Sequence, residues 1–110
     1  MMLRILIYDD DPAACQTLRE LLRKMSDLQK AEILTAVDLQ EARAHLTEKI
    51  DILFQDIELP ESENGIAFAR QVKADEPETS IVFITAHIRY CEEIFSASPA
   101  GFLVKPFTEE

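Results

Sequence analysis

Apolar residues along the chain fall into short runs and longer periodic stretches, and the two kinds alternate. The short runs are rich in β-branched and aromatic residues, which predicts strands. They are Leu3–Tyr8, Ile33–Ala36, Asp51–Gln55, Ile81–Thr85 and Phe102–Val104. The longer stretches repeat apolar residues every three or four positions, which predicts amphipathic helices. Their stripes are Cys15, Leu18, Leu22 and Met25; Leu39, Ala42, Leu46 and Ile50; Ile66, Ala69 and Val72; and Ile88, Cys91 and Phe95.

Local signals mark where two of these helices begin. Asp11 followed by Pro12 is typical of an N-cap and a proline at the first helical position, where no amide hydrogen is needed. Asp38 with Glu41 three residues later is typical of a capping box.

Strands that alternate with helices of about ten to fourteen residues predict βαβ units, and therefore a parallel sheet covered on both faces. Three strands are nearly continuous apolar runs, as expected when both faces of a sheet are buried. The sequence reaches Glu110 soon after the fifth strand, so we expect the last covering helix to be missing or truncated. The 110 residues, 1–110, fit one domain.

The charge balance argues against one class of function. Lysine and arginine number 11 against 21 aspartates and glutamates, which gives a net charge of −10. A nucleic-acid binder carries a basic patch, because its affinity comes mainly from neutralised phosphates. We therefore do not expect this chain to bind DNA or RNA by itself. An acidic chain suits a cationic partner or a bound metal cation.

The N-terminal apolar run reaches Asp9 too soon to be a signal peptide or a membrane span, so we expect a cytoplasmic protein without membrane contact. Cys15 and Cys91 are too few for a disulfide framework, and both lie on apolar stripes. We expect them to be buried, reduced thiols.

Polar residues end four of the predicted strands, at the edge of a parallel sheet where ligands bind. They are Asp9, Asp10 and Asp11 after the first strand, Asp56 after the third, Thr85 at the end of the fourth and Lys105 after the fifth. Each also has a purely structural interpretation: helix capping, turn formation, strand propensity or a solvated lysine. Their joint occurrence at four strand ends favours a functional site.

Three carboxylates close together repel one another, so the cluster is stable only with raised pKa values or a bound cation. Hard oxygen ligands in an incomplete cage suit Mg²⁺. This ion would neutralise Asp56 and an incoming phosphoryl group, so that the carboxylate could act as nucleophile in an in-line transfer. Lys105 and Thr85 could hold the phosphoryl oxygens, one by charge and one by a hydrogen bond.

At these residues the sequence resembles the receiver domains of two-component response regulators, over essentially the whole chain. The matching segments are Ile7–Pro12, Asp51–Pro60, Asn64–Gly65, Ile84–Ala86 and Lys105–Phe107. The resemblance implies a flavodoxin-like α/β fold, with a doubly wound sheet of five parallel strands in the order 2-1-3-4-5. It also implies Mg²⁺ as the cofactor.

The resemblance further implies a role for each residue of the site. Asp56 would be the phosphoacceptor, and Thr85 and Lys105 would assist the transfer. The Mg²⁺ ligands would be Asp9, Asp10, Asp56 and the backbone carbonyl of Glu58. Thr85 and Phe102 would be the switch residues, the ring of Phe102 rotating on activation.

A finer resemblance, carried by Asp56–Pro60, Thr85–His87, Tyr90 and Phe95, is to receivers that precede LytTR-type DNA-binding domains. It implies a sensor histidine kinase as donor, a homodimer on phosphorylation, and DNA contact only through a separate output domain beyond residue 110. The loop Pro60–Gly65 is one residue longer than is usual in the family and adds two acids. The resemblance therefore does not predict the conformation of this loop.

Alternative interpretations come from other classes of protein. A degenerate receiver, acting only as an interaction module, would lack Asp56, Thr85 or Lys105. A Mg²⁺-dependent aspartyl phosphatase of the haloacid dehalogenase type also uses a strand-end aspartate, but on its first strand. An FMN binder needs a phosphate loop after the first strand, where this chain has carboxylates. We therefore expect a signalling domain that catalyses only its own phosphorylation and dephosphorylation.

Overall fold

A computed structural model describes residues 2–57, 65–85 and 99–105, except the side chains at positions 102 and 104. In chain order its elements are β1 (Arg4–Tyr8), α1 (Pro12–Arg23), a 3-10 turn (Ser26–Leu28), β2 (Glu32–Ala36), α2 (Leu39–His45), β3 (Ile52–Asp56), α3 (Gly65–Asp75), β4 (Ser80–Thr85) and β5 (Gly101–Val104). The helix predicted around Ile88–Phe95 and all residues after Lys105 lie outside the described residues.

The strands form one parallel sheet in the order β2-β1-β3-β4-β5. The chain passes from β1 to β2 on one side and then returns to β3 on the other side of β1. The strand order therefore reverses between β1 and β3, which is where open α/β sheets bind their ligands. Asp9 follows β1 and Asp56 ends β3, so both lie at this reversal. The predicted parallel sheet with alternating helices is confirmed.

Two apolar clusters, one on each face of the sheet, form the core. Alternate residues of a strand point to opposite faces, so β1 contributes to both clusters. The cluster under α1 contains Ile5, Ile7, Cys15, Leu18, Leu22, Ile33, Phe54 and Ile84. The cluster under α2 and α3 contains Leu6, Tyr8, Ala42, Leu53, Ile57, Ile66, Ala69, Val72 and Phe83. Burial on both faces explains why these strands read as continuous apolar runs.

The predicted starts of α1 and α2 are confirmed. Asp11 is the N-cap of α1, and its Oδ1 accepts a hydrogen bond from the Ala13 amide at 3.0 Å. Asp38 caps α2 by accepting from the Glu41 amide at 2.8 Å. The return bond of the capping box runs from the Val37 amide to Glu41 Oε1 at 2.8 Å, one residue before the N-cap.

Two helices end earlier than their apolar stripes predict. Met25 was expected on the buried stripe of α1, but the helix ends at Arg23 and Met25 is 53% exposed. The backbone of Met25 is extended (φ −80°, ψ 126°), and a helix cannot continue through a residue in this conformation. Ile50 is buried as expected, but it lies beyond the end of α2.

No helix within the described ranges is long and apolar enough to cross a membrane.

Candidate functional site

Four predicted site residues follow or end consecutive strands of the sheet. Asp9 follows β1, Asp56 ends β3, Thr85 ends β4 and Lys105 follows β5. Since the strands are parallel, these residues all lie at the same edge. The backbone amide of Lys105 donates to the Thr85 carbonyl at 2.9 Å, which joins the last two strand ends.

Asp9, Asp10 and Asp56 form a compact acidic cluster at this edge. Each can offer one carboxylate oxygen, and these oxygens lie within 4.8 Å of one another. Asp9 and Asp56 are buried, whereas Asp10 is exposed. Carboxylate oxygens with one side open to water fit a hard divalent cation that keeps several water ligands, as Mg²⁺ does. The cluster could therefore hold such an ion.

Among the described residues, Lys105 is the positively charged side chain that contacts this cluster. Its Nζ lies 2.8 Å from Asp9 Oδ2, and the other oxygen of Asp9 accepts from the Asp11 amide at 2.9 Å. An ammonium group carries three rotatable hydrogens, so the 2.8 Å contact is a hydrogen-bonded ion pair. Both oxygens of this buried carboxylate then have a partner.

The acidic surroundings change the ionisation of Lys105. Burial disfavours its charge, but the hydrogen bond to Asp9 and the charges of Asp56, Asp9 and Asp10 outweigh burial and raise the pKa of Lys105. The lysine is therefore charged at neutral pH. It offsets part of the repulsion among the three carboxylates.

Two further residues enclose the backbone of Asp56, and their roles are not evident from the sequence. The side-chain amide of Gln55 donates from Nε2 to the Asp56 carbonyl oxygen at 3.0 Å. Gly65 approaches this oxygen so closely that a Cβ at position 65 would overlap it. The one feature of the sequence that marks Gln55 as unusual is that it is a polar residue at the end of an apolar strand run.

Cys15 lies directly beside the acidic cluster. Its Sγ is 3.4 Å from the Asp9 carbonyl oxygen, and the thiol is buried. Burial, reinforced by the charge of Asp9, raises the pKa of Cys15 to about 11. The thiol therefore stays protonated at neutral pH, in agreement with the predicted buried, reduced cysteine.

Several predicted positions are not covered by the structure. Glu58, whose carbonyl was expected to bind Mg²⁺, lies outside the described residues together with the rest of segment 58–64. The backbone of Phe102 lies in β5 opposite Phe83, but its side chain is not described. The roles of Glu58 and Phe102 therefore stay predictions.

The chain is similar to known proteins over nearly its whole length. The family model of the response regulator receiver domain matches residues 5–110. The sensory transduction protein LytT of Bacillus subtilis is 36% identical over 110 residues, which cover 99% of this chain and 44% of LytT. The sensory transduction protein LytR of Streptococcus mutans is 34% identical over 108 residues, 97% of this chain and 44% of LytR. The chain thus spans less than half the length of these relatives.

Solved structures of similar fold include some with at least a quarter of the residues identical. The chemotaxis protein CheY4 of Vibrio cholerae has a TM-score of 0.82 at 25% identity, covering 99% of this chain and 91% of CheY4. The response regulator TrrA of Thermotoga maritima, solved in complex with Mg(2+)-BeF, has a TM-score of 0.80 at 29% identity, covering 97% and 90%. The flavodoxin-like fold class implied by the sequence is confirmed.

Proposed function

Because this chain belongs to the response regulator receiver domain family, we propose that it is a phosphoacceptor whose Asp56 takes a phosphoryl group. Receiver domains are signalling modules rather than conventional enzymes. The observation that carries the proposal is the buried Asp56 carboxylate, clustered with two further acids and with Lys105 at one sheet edge. A turn-forming aspartate alone would need neither the acids nor the lysine.

The transfer forms a bond between a carboxylate oxygen of Asp56 and phosphorus, while the donor leaves with the electron pair of the broken bond. Negative charge spreads over the equatorial phosphoryl oxygens, so the protein contributes mainly position and positive charge. The Thr85 hydroxyl donates to one of these oxygens. Lys105 turns from Asp9 towards another, a movement that its long side chain permits.

The donor set of the acidic cluster fits a hard cation, which we propose to be Mg²⁺. Its ligands would be Asp10, Asp56 and the Glu58 carbonyl, with Asp9 binding directly or through water. When bound, it supplies the positive charge that lets an anionic phosphoryl group approach the anionic Asp56. The TrrA structure, solved with Mg(2+)-BeF, supports this assignment by similarity.

We propose that the signal leaves the site through Thr85 and Phe102. The Thr85 hydroxyl moves towards the phosphoryl group, and the Phe102 ring turns into the space that it vacates. The phosphoryl group bonds Thr85 in only one of the two arrangements, so it shifts their populations. The surface formed by β5 and the helix predicted from the sequence around Ile88–Phe95 would then offer a face for a homodimer.

The relatives support a proposal for the partners. LytT and LytR are sensory transduction proteins more than twice as long as this chain. We infer a sensor histidine kinase as donor and a LytTR-type DNA-binding output domain beyond residue 110, through which alone DNA is contacted. A cytoplasmic location agrees with these partners.

Beryllofluoride, which mimics a phosphoryl group, tests two proposals together: that Asp56 is the acceptor, and that the signal passes from Thr85 to Phe102 (the relay). With Mg²⁺ present, it should shift the amide resonances of Asp56, Thr85 and Lys105, and also that of Phe102. Asp56→Asn should abolish all of these shifts. If wild-type spectra do not change, the acceptor assignment is wrong; if only the residues around Asp56 respond, the relay through Phe102 is wrong.

A further inference from the structure

Gln55 is a polar side chain in an apolar layer of the core. Its neighbours two residues before and after it, Leu53 in β3 and Ile57 directly after β3, belong to the cluster under α2 and α3. The residues opposite it on the two adjacent strands are Tyr8 and Phe83, from the same cluster. Gln55 itself is fully buried. An apolar residue of similar size would occupy this position at a lower cost in folding free energy. A buried glutamine here therefore indicates a functional role.

The side-chain amide of Gln55 is hydrogen-bonded at one end only. Nε2 donates to the Asp56 carbonyl oxygen at 3.0 Å, whereas Oε1 has no hydrogen-bond partner within residues 2–57, 65–85 and 99–105. This orientation follows from the chemistry, because two carbonyl oxygens cannot share a hydrogen bond and the nitrogen must face Asp56. Among the described residues, Gln55 thus combines a buried acceptor that has no partner with the bond to Asp56.

The first residue of α3 packs against the same carbonyl group. A Cβ at Gly65 would overlap the Asp56 carbonyl oxygen and would lie 3.1 Å from Gln55 Nε2. The Asp56 carbonyl is therefore held between a side-chain amide and a helix start. Since the backbone conformation of a residue restricts its side-chain rotamers, fixing this peptide also restricts the directions in which the Asp56 carboxylate can point.

We propose that Gln55 is a positioning residue for phosphoryl transfer, whose side-chain amide fixes the main chain of Asp56 so that the carboxylate faces the incoming phosphorus. The inference rests on the proposed function of Asp56. It adds a residue that donates to the main chain of the acceptor and is not among the metal or phosphoryl ligands. Phosphoryl transfer depends mainly on such positioning, so a small misalignment lowers the rate.

Gln55→Met tests this proposal, because methionine has a similar length but no amide. It removes the bond to the Asp56 carbonyl together with the Gln55 Oε1 acceptor, and these two losses oppose each other, so the free energy of unfolding in urea should change little. The initial rate of phosphorylation by acetyl phosphate with Mg²⁺ should fall roughly two- to tenfold, the effect of one neutral hydrogen bond. The carbonyl carbon-13 resonance of Asp56, which reports this hydrogen bond, should also move.

Gln71→Met is the matched control, since Gln71 is an exposed glutamine of α3 whose Nε2 bonds Asp75 at 3.2 Å. It should leave the rate and the Asp56 resonance unchanged. Gln55→Leu is measured if Gln55→Met does not fold, and loss of folding in both would overturn the proposal in favour of a structural role.

The outcomes separate this proposal from the proposed function. If wild type is phosphorylated and Gln55→Met matches its rate, the positioning role alone is wrong. A Gln55→Met protein that loses rate and stability together, with the Asp56 resonance unmoved, also overturns it. If wild type takes no phosphoryl group, the assignment of Asp56 as acceptor is wrong, and the positioning role of Gln55 is then wrong as well.

Discussion

At the scale of single residues, the ion pair between Asp9 and Lys105 brings a positive charge into the acidic cluster. Asp9 is fully buried, and Lys105 Nζ contacts its Oδ2 at 2.8 Å with 26% of the lysine side chain exposed. Removing one partner of a buried pair is costly, because it leaves the other charge without compensation. The site therefore depends on a cation, supplied by the lysine or by a bound metal ion.

Lys105→Met should lower the free energy of unfolding by about 1–3 kcal/mol, below the figure for a fully buried pair because the lysine is partly exposed. Millimolar Mg²⁺ should recover much of this loss, since a cation that binds only the folded state stabilises it. Urea unfolding with Mg²⁺ and with EDTA measures both effects. Lys49→Met, which breaks an exposed pair with Glu78, is the control and should change little. Equal stability of Lys105→Met and wild type in EDTA would contradict this account.

Cys15 should be unreactive in the folded protein, because a pKa of about 11 leaves about one thiol in a thousand ionised at pH 8. In a Cys91→Ser background, Ellman's reagent should react with it much faster after unfolding in urea. The raised pKa also means that Cys15 contributes stability below pH 9 that is lost as the pH rises towards 11. Equal reactivity of the folded and unfolded forms at pH 8 would show that the thiol is not shielded.

At the scale of elements, the start of α3 is fixed by its contact with the end of β3. Gly65 is buried against the Asp56 carbonyl, with no room for a side chain. Any shift of the first turn of α3 is therefore transmitted to the backbone of Asp56. The other described glycine, Gly101 in β5, has open space around it.

Gly65→Ala should destabilise the protein by about 1–3 kcal/mol, the usual cost of overpacking. It should also slow phosphorylation, because the overlap displaces the Asp56 backbone. Gly101→Ala is the matched control, and it should leave the rate near that of wild type since a Cβ there meets no atom within 4 Å. The measurements are urea unfolding and initial rates with acetyl phosphate. Equal rates for the two variants would refute the coupling between α3 and Asp56.

Strand positions are predictable from the sequence because each strand is a short β-branched run. The fourth strand, expected at Ile81–Thr85, is observed at Ser80–Thr85. Helix ends are less predictable: Met25 continues the apolar spacing of α1 after its backbone has become extended. The 3-10 turn Ser26–Leu28 is too short to show any period.

At the scale of the whole molecule, the fold brings residues that are distant in sequence to one edge of the sheet. Position along the strands alone predicts that Asp9, Asp56, Thr85 and Lys105 share this edge. It does not predict that Lys105 pairs with Asp9, or that Gln55 bonds the Asp56 carbonyl. Those contacts depend on side-chain conformations and on the packing of α3, which no local pattern encodes.

The most direct test of the central claim is the intact mass of the protein after incubation with acetyl phosphate and Mg²⁺. The account predicts the addition of one phosphoryl group to wild type and none in EDTA, because the single charge of Lys105 does not offset the three carboxylates that repel the anionic donor. Asp56→Asn should stay unmodified, whereas Asp51→Asn, at the opposite end of β3, should be modified like wild type. An Asp56→Asn protein phosphorylated to the wild-type extent would contradict the assignment of the phosphoacceptor.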